Sequence, residues 1–339
     1  MKWADWAYEM KKKSRQVFIT RRTALGGLLG MVATGRSLGM IDSVGIPRTV
    51  IVPFTAGGAG DLLGRKLAQL LSKTSNAPLI VENISGASGA IAANELLKRP
   101  HDGATLLLGN SGLICSTPLL IKGQVGFDPQ VDLVPICTVA DAPFLLFARK
   151  DFFANNLGEL QRLYMGGNQH LTFATSEVGS GNHLAGEAIL QRLGLQGTHV
   201  PYRVGSQAII DIVEGRVQLG IFGFANISAF LESNKVKVLC VLSDTPLEPL
   251  PQIRTVMAQG FGKFDIQGWY ALFVASGTSQ SIIKEQERVM KSIFDNSDIN
   301  AFIKKMGYLP AFRDRHHSEA YVNDEIRRYK ELLQQYKVI

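Results

Sequence analysis

Three apolar runs, separated by glycine-bearing turns and helix-like stretches, constrain this chain more than any other feature. "TVIVPF" (49–54) is followed by "GDLLGRKLAQLLSKT", "PLIVEN" (78–83) by "GAIAANELLKR", and "ATLLLGNS" (104–111) closes the set. Short unbroken apolar runs read as strands buried on both faces, and the intervening stretches carry a helical apolar period. A βαβαβ order predicts a parallel sheet with helices on both faces. Right-handed crossovers then bring the loops that follow the strands to one end of the sheet.

A second series begins at "VPICTVADAPFLLFARK" (134–150). It continues through "LTFATS", "NHLAGEAILQRLG", "THVPY", "GSQAIIDIVEGR", "VQLGIFG", "NISAFLESN" and "VKVLCVLSD". This predicts a second sheet with its own helices. "QGWYALFVASG" (267–277) is apolar again and leads into "SIIKEQERVMKSIFDN" and "AYVNDEIRRYKELLQQYK", late helices with no sheet of their own that are expected to pack back on the first domain. A chain of 339 residues has room for two domains. The expected organisation is a leader over 1–44, a first lobe over 45–139 with 268–339, and a second lobe over 140–267. Two crossings near Ala140 and Gly268 would make a hinged receptor with a cleft between α/β lobes.

Charge separates the leader from the body. The chain carries a net +7, but residues 1–40 hold eight Lys or Arg against two acids, which leaves 28 basic against 27 acidic residues in the rest. A nucleic-acid protein would carry its basic face in the folded body, so no nucleic-acid partner is expected. "MKKKSRQVFITRRTALGGLLGMVATG" sets basic residues before an apolar stretch too short and glycine-rich to span a bilayer. It reads as a cleavable export signal, cut between about Ala33 and Val44, with Met10 as an alternative start. "TRRTAL" resembles a twin-arginine signal, with Ala24 where a large apolar residue is usual. A Sec signal that happens to contain Arg21-Arg22 is the other reading. Either places the body in the periplasm.

Cys115, Cys137 and Cys240 form no CxxC pair and lie in apolar surroundings, which excludes zinc-ribbon and thioredoxin readings and predicts buried thiols. His316-His317 reads as a solvated helix start. No Ser-His-Asp order or paired carboxylates stand out, and "GNSGL" lacks the spacing of a nucleophile elbow. The reading is a binding protein and not an enzyme, with no cofactor and no metal.

The glycine loop "FTAGGAGDLLG" (54–64) admits two readings. Gly58, Gly60 and Gly64 miss the dinucleotide fingerprint by one residue, yet Glu82 stands about where a ribose-binding acid would. A secreted dinucleotide-dependent oxidoreductase is therefore the alternative. The favoured reading is a smaller anion, held by backbone N–H groups and the positive end of the helix that starts near Asp61. Asp61 itself caps that helix or braces the loop, with binding of a ligand ammonium as its other reading. "FATSEVGSGNHLAGEAI" repeats the strand, polar loop and helix in the second series. Two such loops facing each other would grip the two ends of one small molecule.

From Pro47 to the C-terminus the chain resembles the substrate-binding receptors of tripartite tricarboxylate transporters, also called Bug receptors. "IVPFTAGGAGD" is similar to their P-F-x-A-G-G-x-x-D loop. "LIVENISGASGAIAANELLKRPHDGATLLLGNSG" is similar to their V-E-N-x-x-G-A-x-G and D-G-x-T-L-L-L-G stretch. "HLAGE", "VPYRV", "LPQIRTVMAQGF" and "WYALFVASGTS" follow in the family order. The resemblance implies a type II periplasmic-binding fold, two hinged α/β lobes, and monomeric capture of a small organic carboxylate for delivery to membrane permease subunits. It also implies ligand contacts made largely through backbone N–H groups and water. On this chain these fall on Phe54, Thr55, Gly57, Gly58, Ala59 and Gly60 in the first loop, and on Asn110 and Ser111 after the third strand. In the second lobe they fall on Ser176, Gly179, Ser180 and His183, with Tyr202 and Trp269 as cleft walls.

Some positions depart from the family pattern or have a second reading. Glu177 stands where a glycine is usual, and either repels an acidic ligand or points to solvent. Gln218, Phe222, Gly223, Phe224 and Asn226 make a more apolar wall, suited to an aromatic or longer acid. His183 either donates to a ligand or braces its own loop. Tyr202 either faces the cleft or packs, and Trp269 either stacks on a ligand or fills the hinge.

Overall fold

The first strand, β1 (Thr49–Val52), is buried along Val50, Ile51 and Val52 and lies between two parallel neighbours, β2 (Ile80–Asn83) and β3 (Thr105–Asn110). Helix α1 (Ala59–Ser75) covers β1 with Leu63, Leu67 and Leu71, the i, i+4, i+8 stripe of an amphipathic helix. Gly64 lets it approach closely, since a Cβ there would stand 2.6 Å from Val52 Cγ2. Helix α2 (Ala90–Lys98) joins β2 to β3, and a π-turn over Gly112–Ser116 runs into the short α3 (Thr117–Leu120). This computed structural model describes residues 47–121, 123–165 and 171–339. The export signal and the alternative start lie outside the described residues.

Among the described residues the strands form two mixed sheets. The first has the order β11-β4-β10-β3-β1-β2, where β4 is Leu133–Ala142, β10 is Gly268–Ala275 and β11 is Leu309–Arg313. Strand β10 runs antiparallel to both β3 and β4, and β11 is antiparallel to β4. The parallel expectation thus holds for β1, β2 and β3. The long strands β4 and β10 carry the chain between the sheets, and a single residue, Pro143, separates the end of β4 from the start of β5 (Phe144–Arg149). The second sheet has the order β7-β6-β8-β5-β9. Its strands are β6 (Leu171–Thr175), β7 (Gly197–Pro201), β8 (Leu219–Gly223) and β9 (Val236–Leu242). Strands β7, β6 and β8 are parallel, and β5 is antiparallel to β8 and β9. Helices α4 (Leu157–Tyr164), α5 (Gly181–Arg192), α6 (Gly205–Val213) and α7 (Phe224–Glu232) accompany this sheet.

After β10 come α8 (Gln280–Phe294), α9 (Ser297–Lys305), β11 and α10 (Arg315–Gln335). The sequence reading missed β11, which adds to the first sheet between two of the late helices. It is a half-buried edge strand carrying Pro310, and an edge is where a sheet tolerates a residue with no N–H. Helix α10 does pack on the first sheet, but it also reaches the second half. Gln335 Nε2 donates to Gln191 Oε1 at 3.0 Å, and Leu333 lies under Gly179. All three cysteines are free and buried, and burial pushes their thiols well up in pKa.

The start of α5 is held from below by a stack of rings. His183 lies on His199 with centroids 3.8 Å apart, and His199 on Phe173 at 5.3 Å. Thr175 Oγ1 and His199 Nε2 are 2.7 Å apart. Burial, helped by the neighbouring His183, pushes the His199 pKa down to about 3. An unfolded histidine titrates near 6.5, so the unfolded chain takes up this proton first as pH falls. Stability should therefore fall as pH drops from about 6.5 towards 3. Thermal melts of the parent and of His199→Gln, which keeps a polar partner for Thr175, should differ in slope across this window. The variant should lose less of its melting temperature between pH 7 and pH 4, and an equal loss would refute the assignment.

Candidate functional site

A cavity of about 800 Å³ opens at the ends of the parallel strands of both sheets. From the first sheet it is walled by Pro53–Thr55 after β1, Ser85–Gly89 after β2 and Asn110–Leu113 after β3. From the second come Ser176–Val178 and Ser180–Asn182 after β6, Tyr202, Arg203 and Gly205 after β7, and Phe222, Gly223 and Asn226 after β8. Ala142, Phe144 and Gly268–Tyr270, where the chain passes between the sheets, form the floor. This is the ligand position expected of open α/β sheets, outside the carboxyl ends of the strands.

The two glycine loops are built alike. In the first, the N–H of Gly58 donates to Thr55 O at 3.3 Å, and the N–H of Gly57 donates to Asp61 Oδ2 at 2.8 Å. In the second, the N–H of Ser180 donates to Glu177 O at 3.1 Å, and the N–H of Gly179 donates to His183 Nδ1 at 2.9 Å. In each, the third residue of the helix reaches back to the residue before the N-cap, a variant of the capping box. That residue has a left-handed φ, +84° at Gly57 and +76° at Gly179, which glycine adopts at no steric cost. By position, Phe54 and Thr55 correspond to Ser176 and Glu177, and all four border the cavity.

This geometry changes the roles read from the sequence. Gly57, Gly58, Ala59 and Gly60 do not border the cavity, and the amides of Gly57 and Gly58 are used inside the loop. Gly60 is instead a seat for the Phe54 ring, since a Cβ there would lie 2.3 Å from Phe54 Cδ2. Asp61 is buried and accepts from Gly57 N, from Asn83 Nδ2 at 2.8 Å and from Arg65 Nε at 2.9 Å. Burial alone would raise its pKa, but these hydrogen bonds hold the carboxyl below its usual range. Gly179 and His183 also stand behind the wall. The His183 ring is buried, accepting from Gly179 and stacked on His199.

Phe54, Thr55, Asn110, Ser111, Ser176, Ser180, Tyr202 and Trp269 do come together around the cavity. Several have polar atoms already engaged. Tyr202 Oη donates to Asp211 Oδ2 at 2.7 Å, and burial together with that carboxylate pushes its pKa up to about 12. Trp269 is fully buried, and its Nε1–H donates to Glu325 Oε2 at 3.2 Å, so its polar edge points into α10. Asn110 Oδ1 accepts from the N–H of Leu113 at 3.0 Å. Of the apolar-wall residues, Phe222, Gly223 and Asn226 border the cavity. Gln218 is bound to Thr172, and Phe224 packs against Gly307.

Some wall residues were not singled out from the sequence. Arg203, inside the quoted "VPYRV", is the single cation on the wall among the described residues, and Glu177 the single acid. The turn Gly86–Gly89 has four consecutive left-handed φ angles, of which Ala87 at +46° and Ser88 at +51° are uncommon for residues with a side chain. Ser88 Oγ donates across the cavity to a carboxylate oxygen of Glu177. Helices α5, α6 and α7 begin at the cavity with no side-chain cap on their first turns, and Gly181, Gly205 and Gly223 there lie on the wall. Uncapped helix starts at a cavity are a usual setting for an anion.

The dinucleotide reading finds no matching geometry. Glu82 is clasped by Arg99 through two hydrogen bonds, of 2.6 and 3.2 Å, and Gly64 serves the contact of α1 with β1. No helix among the described residues is long and apolar enough to cross a membrane.

Comparison with known proteins agrees with this architecture. Residues 63–338 match the profile of the tripartite tricarboxylate transporter family receptors. Protein BugT of Bordetella pertussis is 26% identical over 283 residues, which cover 84% of this chain and 87% of that protein. Rpa4515 of R. palustris, solved with adipate, superposes with a TM-score of 0.77 at 27% identity, covering 85% of this chain and 96% of its own. MatC of Rhodopseudomonas palustris, solved with bound malate, superposes at 0.70 with 26% identity, covering 85% and 98%. The chain therefore belongs to the tripartite tricarboxylate transporter receptor family, whose fold of two mixed α/β sheets it shares.

Proposed function

We propose that this protein is a periplasmic receptor that captures a small organic carboxylate in the cavity and hands it to a tripartite-type membrane permease. The observation that carries this reading is the convergence of three uncapped helix starts and Arg203 on one cavity. Such an arrangement suits an anion held by oriented amides with a guanidinium nearby. Adipate and malate, bound by two family members, are both carboxylates. Phe54, Thr55, Asn110, Ser111, Ser176, Ser180, Tyr202, Trp269 and Arg203 form the ligand wall in this proposal. Gly57, Gly58, Ala59, Gly60, Gly179 and His183 hold it in place from behind. The Phe222 side favours a longer or aromatic acid. The receptor works as a monomer without a cofactor.

A thermal-shift panel of mono-, di- and aromatic carboxylates, their amides and NAD tests this. A ligand at about 100 times its Kd adds about 2.7 kcal/mol of stability. At least one acid should raise the melting temperature while its amide does not. Arg203→Gln should weaken that acid about tenfold, the usual scale for loss of a charge-assisted hydrogen bond. Stabilisation by NAD with no response to any acid would sink the carboxylate reading.

The two sheets act as lobes that close on the ligand, joined where the chain passes through Pro143 and returns at Gly268. The contacts of Gly179 with Leu120 and of Ser88 with Glu177 belong to the closed form. Small-angle scattering should show a smaller radius of gyration with the stabilising acid than without it, and an unchanged radius would argue against hinge capture.

The leader acts as a cleavable twin-arginine signal. Replacing Arg21 and Arg22 by Lys should stop the protein reaching the periplasm in cell fractionation. Normal export of the double variant would leave Sec as the route.

A further inference from the structure

We propose that Glu177 makes the cavity selective for carboxylates that also carry an ammonium group, in particular α-amino acids. This rests on the reading of the cavity as a carboxylate site. Glu177 occupies in the second loop the position that Thr55 occupies in the first, and both side chains border the cavity. Its carboxylate accepts from Ser88 Oγ, a residue of the opposite half. Ser88 is itself fixed by the left-handed turn Gly86–Gly89, and its carbonyl accepts from Thr117 Oγ1 at 3.3 Å. Glu177 is thus tethered to the far wall across the solvent-exposed mouth of the cavity.

No other hydrogen bond from a described residue reaches this carboxylate. An ionised carboxylate has two oxygens and about four acceptor sites. One serine hydroxyl leaves most of them for water or for a donor on the ligand. When a ligand fills the cavity and displaces that water, an unmatched carboxylate there becomes costly. A second carboxylate on the ligand makes this worse, because like charges meet in a partly dry space. An ammonium group matches it, and the wall then meets charge with charge at both of its ionised side chains, Glu177 and Arg203.

Chain geometry narrows the class further. The uncapped start of α5, at Ser180 and Gly181, lies only three residues beyond Glu177 in the same loop. A ligand whose carboxylate rests on that helix start has Glu177 beside it. Its ammonium must then sit close to its carboxylate, as it does on the α-carbon of an amino acid. Glu177 acts by attracting this class and by repelling plain diacids, the two means by which a site discriminates.

Isothermal titration of the purified protein against matched sets tests the proposal: aspartate, malate and succinate; 2-aminoadipate and adipate; phenylalanine and 3-phenylpropanoate. In at least one set the amino member should bind about tenfold tighter than its plain partner. Glu177→Gln keeps an acceptor for Ser88 but removes the charge. It should weaken the amino member and strengthen the plain acid, bringing the two within about threefold. Ser88→Ala, which frees Glu177 from the far wall, should reduce the preference without abolishing carboxylate binding. Plain or hydroxy acids that bind as tightly as the amino acids overturn the proposal while leaving the carboxylate reading intact. So does a preference that survives Glu177→Gln. The parent comparison needs no variant, so a misfolded Gln protein does not protect the proposal. Failure of every acid, amino or plain, would remove the carboxylate reading and this one with it.

Discussion

A helix that follows a parallel strand begins with backbone N–H groups that no carbonyl of the helix can reach, and the fate of those groups organises this structure. At α1 and α5 the same solution appears twice. The third helical residue, Asp61 or His183, takes the N–H of the glycine before the N-cap. That bond fixes a tight left-handed turn and thereby fixes the two residues upstream. Phe54 and Thr55 in one half, and Ser176 and Glu177 in the other, are presented to the cavity because the glycines behind them are locked. The glycine loops are scaffolds for their own flanks, and the chemistry is displaced by two or three residues from the glycines themselves.

The duplication is not symmetric in charge. Buried Asp61 is drawn into a half-buried network with Asn83 and Arg65, and Asn83 also donates to Phe54 O at 3.0 Å. The Phe54 ring then lies on Gly60, so the start of α1 is roofed by a side chain. At α5 the Phe144 ring and Tyr329 Oη pack against Gly181 instead. Ser180, Gly181 and Asn182 lie on the wall, where Asn182 Nδ2 donates to Ile221 O at 2.9 Å and to Ser176 Oγ at 3.2 Å, and Asn182 Oδ1 accepts from Ser180 Oγ at 2.7 Å. The helix starts that border the cavity are those of α5, α6 and α7. The first half contributes hydroxyls, aromatic faces and the Ser88 turn.

Strands were legible where burial leaves a clear pattern. Runs such as "TVIVPF" and "ATLLLGNS" are apolar because β1 and β3 are covered on both faces, and no other short element needs that. Strand β11 was not legible, because an edge position half open to water tolerates Pro310 and mixed polarity. At the site, the sequence singled out both glycine loops but not the direction in which their amides point. Direction depends on Asp61 and His183 reaching back four residues, a tertiary outcome of how the helix starts pack. Arg203 and the Ser85–Gly89 turn sat inside stretches already noted, yet nothing local distinguishes a cavity arginine from a surface one. Only the convergence of β7 and β2 loops from different sheets does so.

Trp269 shows how a residue can border the cavity and still be structural. Its ring is sealed in, and its N–H is spent on Glu325 of α10, which is paired in turn with Arg328. Burial raises the pKa of Glu325, while Arg328 and the indole N–H work against that rise. Arg328 also reaches Asp265, just before β10, at 2.5 Å. The passage from the second sheet back to the first is thus tied to the long C-terminal helix at two adjoining points, Asp265 and Trp269. That same helix meets the second half at Gly179 and Gln191. Rotation of one half against the other would have to slide the end of α10 past the start of α5, where Gly179 leaves room for Leu333 and Leu120 and no side chain of its own intervenes. The glycine that allows the turn in the second loop is therefore also where that loop meets the C-terminal helix.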